Sequence, residues 1–314
     1  IIKVTREGKK KLYFTTGHGE KDPDSDGADG LATARKALIE ENYDIAKLLL
    51  ARESAIPADC SMLAVAGPRT ELFASEKSLI MEFLQKGGKL LILLDPASPD
   101  SWSELLGEWG FKVGRDIVVD ASGFGQLFGT GPTMPIVSQY EEHAITRDFN
   151  LMTFFPEARS ISRGENPPAG LEFREIGKST PRSWAETSPI SGQAEITFDE
   201  GKDLRGPVTL FAGAEMPATA AAGEKAGKTR LLVFGDSDFA TNSYFDTQGN
   251  GNLFQNGVSW LAEEEDLISV RARSPEDRRI AITQTQSRAL LYLGIIVLPL
   301  AIFIAGIAVY RNRK

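Results

Sequence analysis

The chain has 314 residues, a formal net charge of −8 and a sequence pI of about 5.1. This acidic balance argues against nucleic acid as a partner, because phosphate binding needs a basic face. The hydrophobic fraction of 42% is that of an ordinary globular protein, and the single cysteine, Cys60, excludes an intrachain disulfide.

The first 120 residues predict the first part of an α/β domain. Apolar runs of strand length alternate here with segments of helical periodicity. Strands are predicted over residues 11–15, 61–66 and 89–94, and helices over residues 31–39, 75–86 and 102–109. Residues 45–50 fit either a strand or the end of the first helix. Such alternation implies a parallel sheet that is covered by helices on both faces.

The pattern lapses over residues 121–204, which are rich in Gly, Pro, Ser and Thr and predict a β-rich or irregular insertion. Strand patterns return at residues 207–214 and 230–235, and a helix is predicted near residues 251–261. Residues 205–265 are therefore predicted to be the second part of the α/β domain. The stretch GEKAGKT at residues 223–229 imitates a phosphate-binding loop, but it is one residue short and precedes a strand, which favours a hairpin connection.

A polar connector is predicted over residues 266–288, before an apolar run without one charged residue. A helix from Ala289 to Tyr310 would be about 33 Å long, so we expect a transmembrane helix there, kinked at Pro299. A short basic tail follows at residues 311–314, but basic residues flank both ends, so charge does not fix the orientation. Because the sequence opens at Ile1 without a leader, we expect a fragment or a processed product.

Polar turns follow four of the predicted strands. If these strands are parallel, the turns share one edge of the sheet, where ligands of open α/β sheets bind. The candidate binding residues at this edge are Thr16, His18, Glu20, Arg69, Asp95, Asp236, Asp238 and Asn242. The other interpretation is structural: aspartates after strands often cap the helices that follow, and the glycines permit tight turns.

No catalytic residues are predicted with a complete signature. The sequence holds only two histidines, His18 and His143, and no G-x-S-x-G elbow. Cys60 lies before its strand, where a packing role is favoured over an exposed nucleophile. A membrane-tethered hydrolase or metal-dependent enzyme that uses His18, Asp236 and Asp238 remains an alternative.

The acidic stretch at residues 22–29 opens like a calcium loop, with Asp22, Asp24 and Asp26 at alternate positions and a glycine next. The twelfth position, where a bidentate glutamate belongs, holds Thr33 instead. A solvated acidic turn is therefore favoured over a calcium site, and we predict neither a bound metal nor a cofactor.

Several motifs together resemble one family, the gliding-motility-associated, GldG-like auxiliary components of ABC transporters. They are IKVT at residues 2–5, YFTTGHGE at 13–20, AVAGP at 64–68, Gly87-Gly88, LDP at 94–96, GDSDF at 235–239, Asn252, and TQTQSR at 283–288. The similarity covers nearly the whole chain and is weakest between residues 121 and 204.

The resemblance implies a flavodoxin-type, glutamine-amidotransferase-like α/β domain outside the cytoplasm of a bacterium. It also implies membrane helices at the inner membrane and operation beside an ABC permease and, through it, an ATPase. No catalytic residues transfer from the family, so we expect a non-enzymatic subunit that binds a partner or a substrate. The remaining alternative is an extracytoplasmic sensor of sugars or polymers, which would present Trp102, Trp109 or Trp184 as stacking faces.

Overall fold

The computed structural model describes residues 9–123, 125, 131–190, 196–218, 227–265, 268, 299, 303 and 311. The chain divides into two compact units, Ile1–Arg271 and Ala272–Lys314. The first unit holds the elements described below. In the second unit, the described residues Pro299, Phe303 and Arg311 are helical.

Four α-helices are described in full in the first unit, and each carries apolar side chains at helical spacing. They are α1 (Ala32–Glu40), α2 (Ala74–Gln85), α3 (Asp100–Gly107) and α4 (Asn250–Leu261). Helix α2 begins one residue before the predicted cap, Ser75. The amide of Phe73 donates to the Glu76 carboxylate at 3.0 Å, so Glu76 satisfies one amide at this helix end.

The first unit contains fourteen described strands. Those of the main sheet are β1 (Lys11–Thr15), β2 (Asp44–Leu48), β3 (Cys60–Ala66), β4 (Lys89–Leu93), β10 (Glu172–Lys178), β13 (Thr209–Pro217) and β14 (Lys228–Phe234). The shorter strands are β5 (Phe111–Val113), β6 (Ile117–Asp120), β7 (Ile136–Val137), β8 (Thr153–Phe154), β9 (Ile161–Arg163), β11 (Ser183–Glu186) and β12 (Leu204–Arg205).

The main sheet has seven strands in the order β10-β13-β14-β4-β3-β1-β2. The five strands from β14 to β2 are parallel, whereas β13 is antiparallel to β14 and β10 is antiparallel to β13. The prediction of a parallel sheet is therefore corrected to a mixed one. The reversal arises because β13 and β14 are consecutive in the chain and only ten residues apart, at 218–227, whereas a parallel connection needs a crossover of about a dozen residues or more.

Apolar side chains cover both faces of the sheet. Helices α1 and α4 pack on one face together with buried residues of the segment between β6 and β11, and α2 and α3 pack on the other. Phe155, Phe211, Phe234 and Phe239 stack together on the first face, with ring centroids 4.7–6.4 Å apart. Strand β10 lies within the predicted insertion and yet forms an edge of the main sheet.

The prediction of a C-terminal transmembrane helix is corrected as well. A helix needs about 20 apolar residues to cross a bilayer, and α2 and α4 have 12 residues each and belong to the α/β body. None of the helices in the described part of the chain has the length and apolar character for a crossing. Of the predicted span, Pro299 and Phe303 are described, whereas Ala289, Tyr310 and the remaining residues lie outside the described part.

Candidate functional site

Four loops meet at the carboxyl edge of the main sheet. They are residues 16–21, 67–73, 94–98 and 235–242, which follow the parallel neighbours β1, β3, β4 and β14. We call these four loops the rim. Strands β2 and β3 lie on opposite sides of β1, so the chain reverses its direction across the sheet between β1 and β3. Ligands of open α/β sheets bind at such a switch point.

Lys21 ties two loops of the rim together. Its Nζ atom lies 2.6 Å from Oδ1 of Asp238, and its side chain is only 6% exposed. Beside this pair, Gly67 has a φ of +61°, and a Cβ at this position would lie 2.6 Å from Ser237 Oγ and 2.9 Å from Asp95 Oδ2. The close approach of these loops therefore requires a glycine.

The carboxylate oxygens of Asp95 and Asp236 both accept hydrogen bonds from the loop at residues 235–242. Ser237 donates to Asp95 through its amide at 2.6 Å and its hydroxyl at 2.8 Å. The amides of Asp238 and Phe239 donate to the two oxygens of Asp236 at 2.8 and 3.0 Å. Asp236 thus caps the short turn after β14, in agreement with the structural interpretation, whereas Asp95 joins two loops. Burial raises the pKa of both carboxyls, and for Asp236 the charges of Asp95 and Asp238 add to that rise.

His18 is enclosed beneath the rim between two carboxylates. Its Nδ1 lies 3.6 Å from Glu20 Oε1, and its Nε2 lies 2.9 Å from Glu76 Oε2, although without the alignment of a hydrogen bond. All three side chains are buried. The carbonyl of His18 accepts the amides of Arg69 and Thr70 at 2.7 and 3.0 Å. His18 therefore supports the loop after β3, and the carboxylates that its ring nitrogens contact are those of Glu20 and Glu76, not the aspartates that the hydrolase alternative requires.

The loop after β3 is held by hydrogen bonds to residues of α3, and it carries an exposed aromatic ring. The indole Nε1 of Trp102 donates to the carbonyl of Thr70 at 3.0 Å, and the amide of Leu72 donates to Ser101 Oγ at 2.8 Å. Phe73 nevertheless exposes 63% of its surface, next to the exposed residues 69–71. A rigid loop thus presents a large apolar side chain to solvent.

Two more of the predicted residues have structural partners. Asn242 donates from Nδ2 to the carbonyls of Ser25 and Gly27 at 2.9 and 2.7 Å, and it accepts the amide of Thr33 at 2.8 Å. It therefore fastens the acidic loop to the start of α1. Thr16 lies at the end of β1, where its amide donates to the carbonyl of Leu48 at 2.9 Å.

Basic side chains neutralise the acidic loop that resembled a calcium site. Lys47 Nζ lies 2.5 Å from Asp22 Oδ1 and 2.8 Å from Asp24 Oδ2, and Arg35 Nε lies 3.2 Å from Asp24 Oδ1. The hydrogen bond from Lys47 lowers the pKa of Asp22. Asp26 is exposed. Within the described residues, no group of three or more His, Cys, Asp or Glu is placed to hold a metal ion.

The remaining candidates from the sequence are buried. Trp102, Trp109 and Trp184 are 0%, 5% and 8% exposed, so the sensor alternative loses the stacking faces on which it rested. The thiol of Cys60, at the start of β3, donates to the carbonyl of Met62, and burial raises its pKa to about 12. A thiol with so high a pKa is a poor nucleophile at neutral pH.

Sequence reasoning missed three residues that hold the rim together. Lys21 pairs with Asp238, and Glu76 contacts His18. Arg159 is buried and donates to the carbonyls of Gly114 and Asp95. Glu76 did carry a signal, because an acidic residue in the first turn of a helix commonly satisfies an amide at that end. Arg159 carried none, since its partners are distant in sequence.

Comparisons with known proteins identify a family for this body. A family model described as "ABC-type uncharacterized transport system" matches residues 9–263. The comparison with curated proteins found no match. Among solved structures, the mmIFT52 N-terminal domain matches with a TM-score of 0.56 and 17% identity, covering 80% of this chain and 97% of that chain. At this identity the likeness shows the fold alone.

Two thua-like proteins match more distantly. The one from Parabacteroides merdae ATCC 43184 has a TM-score of 0.45 and 11% identity, with 86% of this chain and 94% of that chain covered. The one from Bacteroides uniformis ATCC 8492 has a TM-score of 0.43 and 12% identity, with 81% and 91% covered. The family match, in contrast, spans the whole α/β body with its rim, and the chain therefore belongs to the family of auxiliary components of ABC-type transport systems.

Proposed function

We propose that this auxiliary component is a non-enzymatic subunit that binds a partner protein through its rim. The partner is the permease of an ABC-type system, with an ATPase attached to that permease. Within the family, we propose a GldG-like role. Membership of an ABC-type transport family supports a role beside other subunits, because such systems divide their work among separate chains.

The exposed ring of Phe73 is the single observation that carries this proposal. Isolated exposed apolar side chains are common and need no explanation, but Phe73 differs from Ile39 and Leu204 in its position and support. It lies at the switch point of the sheet, and its amide is held by Glu76. A residue whose backbone is held before binding loses less conformational entropy on binding, and aromatic residues are enriched among those that dominate the affinity of protein interfaces.

The chemistry of the rim supports binding over catalysis. The oxygens of Asp95 and Asp236 already accept hydrogen bonds from backbone and hydroxyl groups of the protein. The imidazole of His18 is 2% exposed, so a substrate atom would have to displace its surroundings to reach it. His18 supports the loop that carries Phe73, and Asp95 and Asp236 hold the adjoining loop at residues 235–242, so each of these groups has a structural role.

Replacing Phe73 with alanine tests the proposal. We expect the F73A variant to retain its thermal stability, because the ring is mostly exposed, and to lose about 30-fold in affinity for the permease, the size of a typical hot-spot effect of about 2 kcal/mol. The measurement is affinity purification of the tagged full chain from native membranes, with quantitative mass spectrometry of permease and ATPase peptides.

Ile39→Ala and Leu204→Ala are the matched controls, because both side chains are also exposed, at 44% and 55%. Both controls should recover the permease at the level of the unmodified chain. Equal recovery with F73A and with the unmodified chain would contradict the assignment of Phe73. Recovery of the unmodified chain without any permease or ATPase would contradict the proposed function itself.

We also propose that the α/β body lies on the extracytoplasmic side of the bacterial inner membrane. The resemblance to GldG-like components motivates this placement. A single cysteine, Cys60, is compatible with either side of the membrane, because it forms no intrachain disulfide in an oxidising or a reducing compartment. A fusion of alkaline phosphatase after residue 265 in the natural gene is expected to be active, because this enzyme needs an oxidising compartment. An inactive phosphatase together with an active cytoplasmic reporter at the same position would refute the placement.

A further inference from the structure

A cavity of about 280 Å³ lies at the opposite end of β14 from the rim. It opens beside the hairpin partner β13 and the edge strand β10. Its lining combines small, aromatic and charged residues, among them His143, Glu172, Arg174, Gly213, Arg230 and Trp260. None of the lining residues belongs to the rim, so the cavity is separate from the surface that carries Phe73.

A glycine in the sheet, Gly213, leaves room for the cavity because it has no side chain. Gly213 of β13 stands opposite Arg174 of β10, and a Cβ at Gly213 would lie 3.2 Å from Ile176 Cδ1 and 3.3 Å from the indole of Trp260. The glycine therefore lets the Trp260 ring sit close over the sheet. The backbone of β13 and the indole of Trp260 form the floor of the cavity, and the Arg174 side chain lies beside this floor.

One group of charges in the lining is already satisfied within the protein. Glu215 accepts from Lys228 at 2.8 Å and from Arg230 at 3.0 Å. Arg230 also lies 2.9 Å from Glu265 and stacks over the Trp260 ring at 4.9 Å. These two acidic and two basic side chains balance one another, so they form a wall of the cavity rather than free binding groups.

His143 contributes a neutral N–H group. Its Nδ1 accepts the amide of Ile145 at 3.2 Å, so Nε2 carries the proton in the neutral ring. Burial lowers the pKa of His143 to about 4, and the charge of Arg230 adds to the lowering, while Glu215 opposes it. The ring lies edge-on to Trp260 at 5.0 Å. At neutral pH the imidazole is therefore a hydrogen-bond donor without a charge.

Arg174 and Glu172 are the charged groups that remain. They are exposed and two residues apart on β10, so they point to the same face of the strand. Neither side chain makes an ion pair with another side chain in the part of the chain that the structure describes. One cation, one anion and one N–H donor thus border a cavity with an aromatic floor.

We propose that this cavity binds a small zwitterion of the size of an amino acid. Its carboxylate would lie against the Arg174 guanidinium and the Nε2–H of His143, because a guanidinium and an N–H match two carboxylate oxygens. Its ammonium would lie against Glu172. The cavity volume is near the lower end of the range for small-molecule sites, which suits a ligand of this size.

Calorimetric titration of the full chain with three matched probes tests the assignment. Leucine carries both charges, isocaproate keeps only the carboxylate, and isoamylamine keeps only the ammonium. We expect leucine to bind about tenfold more tightly than either analogue, since one charge-assisted contact is worth roughly 1.4 kcal/mol. Equal binding of isocaproate and leucine would exclude a role for the ammonium, and the absence of leucine binding at about 10 mM would overturn the site.

Two variants test whether the ligand binds in the cavity. Arg174→Gln and Glu172→Gln should each weaken leucine binding about tenfold, and each should leave thermal unfolding unchanged because both side chains are exposed. Arg163→Gln is the matched control, an exposed arginine on β9 that does not line the cavity. Leucine binding that survives both cavity variants, or that falls equally in the control, would show that the zwitterion binds elsewhere.

Discussion

Replacing Asn250 with alanine is expected to lower the free energy of unfolding by about 3 kcal/mol or more. Asn250 is fully buried at the start of α4. It accepts the amide of Phe154 at 2.9 Å, and its Nδ2 lies 3.1–3.3 Å from the carbonyls of Phe154, Phe239 and Tyr244. The truncation leaves these backbone groups without this partner in a dry environment, and each buried polar group that loses its hydrogen bond costs roughly 1–3 kcal/mol.

Urea denaturation of the purified chain measures this loss. Gln255→Ala serves as the control on the same helix, because Gln255 is partly exposed and its side chain donates to the carbonyl of Gly251 within its own helix. The control should lose less than about 1 kcal/mol, as partly exposed substitutions usually do. A loss of similar size in both variants would mean that water replaces the contacts of Asn250, and the explanation by buried polar groups would then be wrong.

Asn250 also shows which features of the fold can be predicted from the sequence and which cannot. The sequence predicts a helix near residues 251–261, and the structure has α4 over Asn250–Leu261. Helical spacing of apolar residues is a local signal, so the element is predictable. The partners of Asn250 lie 96 residues away at Phe154 and 11 residues away at Phe239. A single sequence contains no record of such pairings, and an asparagine before a helix reads only as a cap.

The direction of a strand is equally hidden. The apolar runs at residues 207–214 and 230–235 predict two strands, and the structure has β13 and β14 there. An apolar run has the same appearance in a parallel and in an antiparallel strand, so the reversal of β13 had no signal of its own. The stretch at residues 223–229, which precedes a strand instead of a helix, was the feature that favoured a hairpin, and β13 and β14 are antiparallel neighbours.

The rim was predictable in position but not in chemistry. Four apolar strands that end in polar turns predict a shared edge, and the loops after β1, β3, β4 and β14 do meet. The partners inside that edge follow from side-chain packing. Lys21 reads as one more surface lysine after an acidic residue, and Phe73 reads as a core residue. The structure buries the lysine and exposes the aromatic ring, contrary to the usual preference of both residue types.

Asp236 makes the stability of the fold depend on pH in an unusual direction. Its carboxyl is fully buried, and burial raises its pKa well above that of an unfolded aspartate, about 3.9. Between these two pKa values the folded state binds more protons than the unfolded state. The free energy of unfolding therefore falls as the pH rises, by up to about 1.4 kcal/mol per pH unit for one proton. The stabilisation is complete below the unfolded pKa and is lost as the pH passes the raised one.

Asp236→Asn removes this titration and is expected to flatten the fall in stability above pH 4 or so. Other carboxyls, such as Asp22 and Glu215, have lowered pKa values and contribute the opposite slope at lower pH. The informative quantity is therefore the difference between the two pH profiles, measured by urea denaturation at matched pH values. The difference includes part of the response of Asp95, because the charge of Asp95 itself contributes to the raised pKa of Asp236.

Asp246→Asn, at an exposed position in the same loop region, is the matched control. Its free energy of unfolding should depend on pH in the same way as that of the unmodified chain. Parallel profiles for Asp236→Asn and the unmodified chain would show that Asp236 is ionised in both states. Its two backbone amides would then outweigh its burial. In that case the rim holds a stable buried charge next to Lys21 and Asp238, and a charged Asp236 could act on a ligand as well as on the fold.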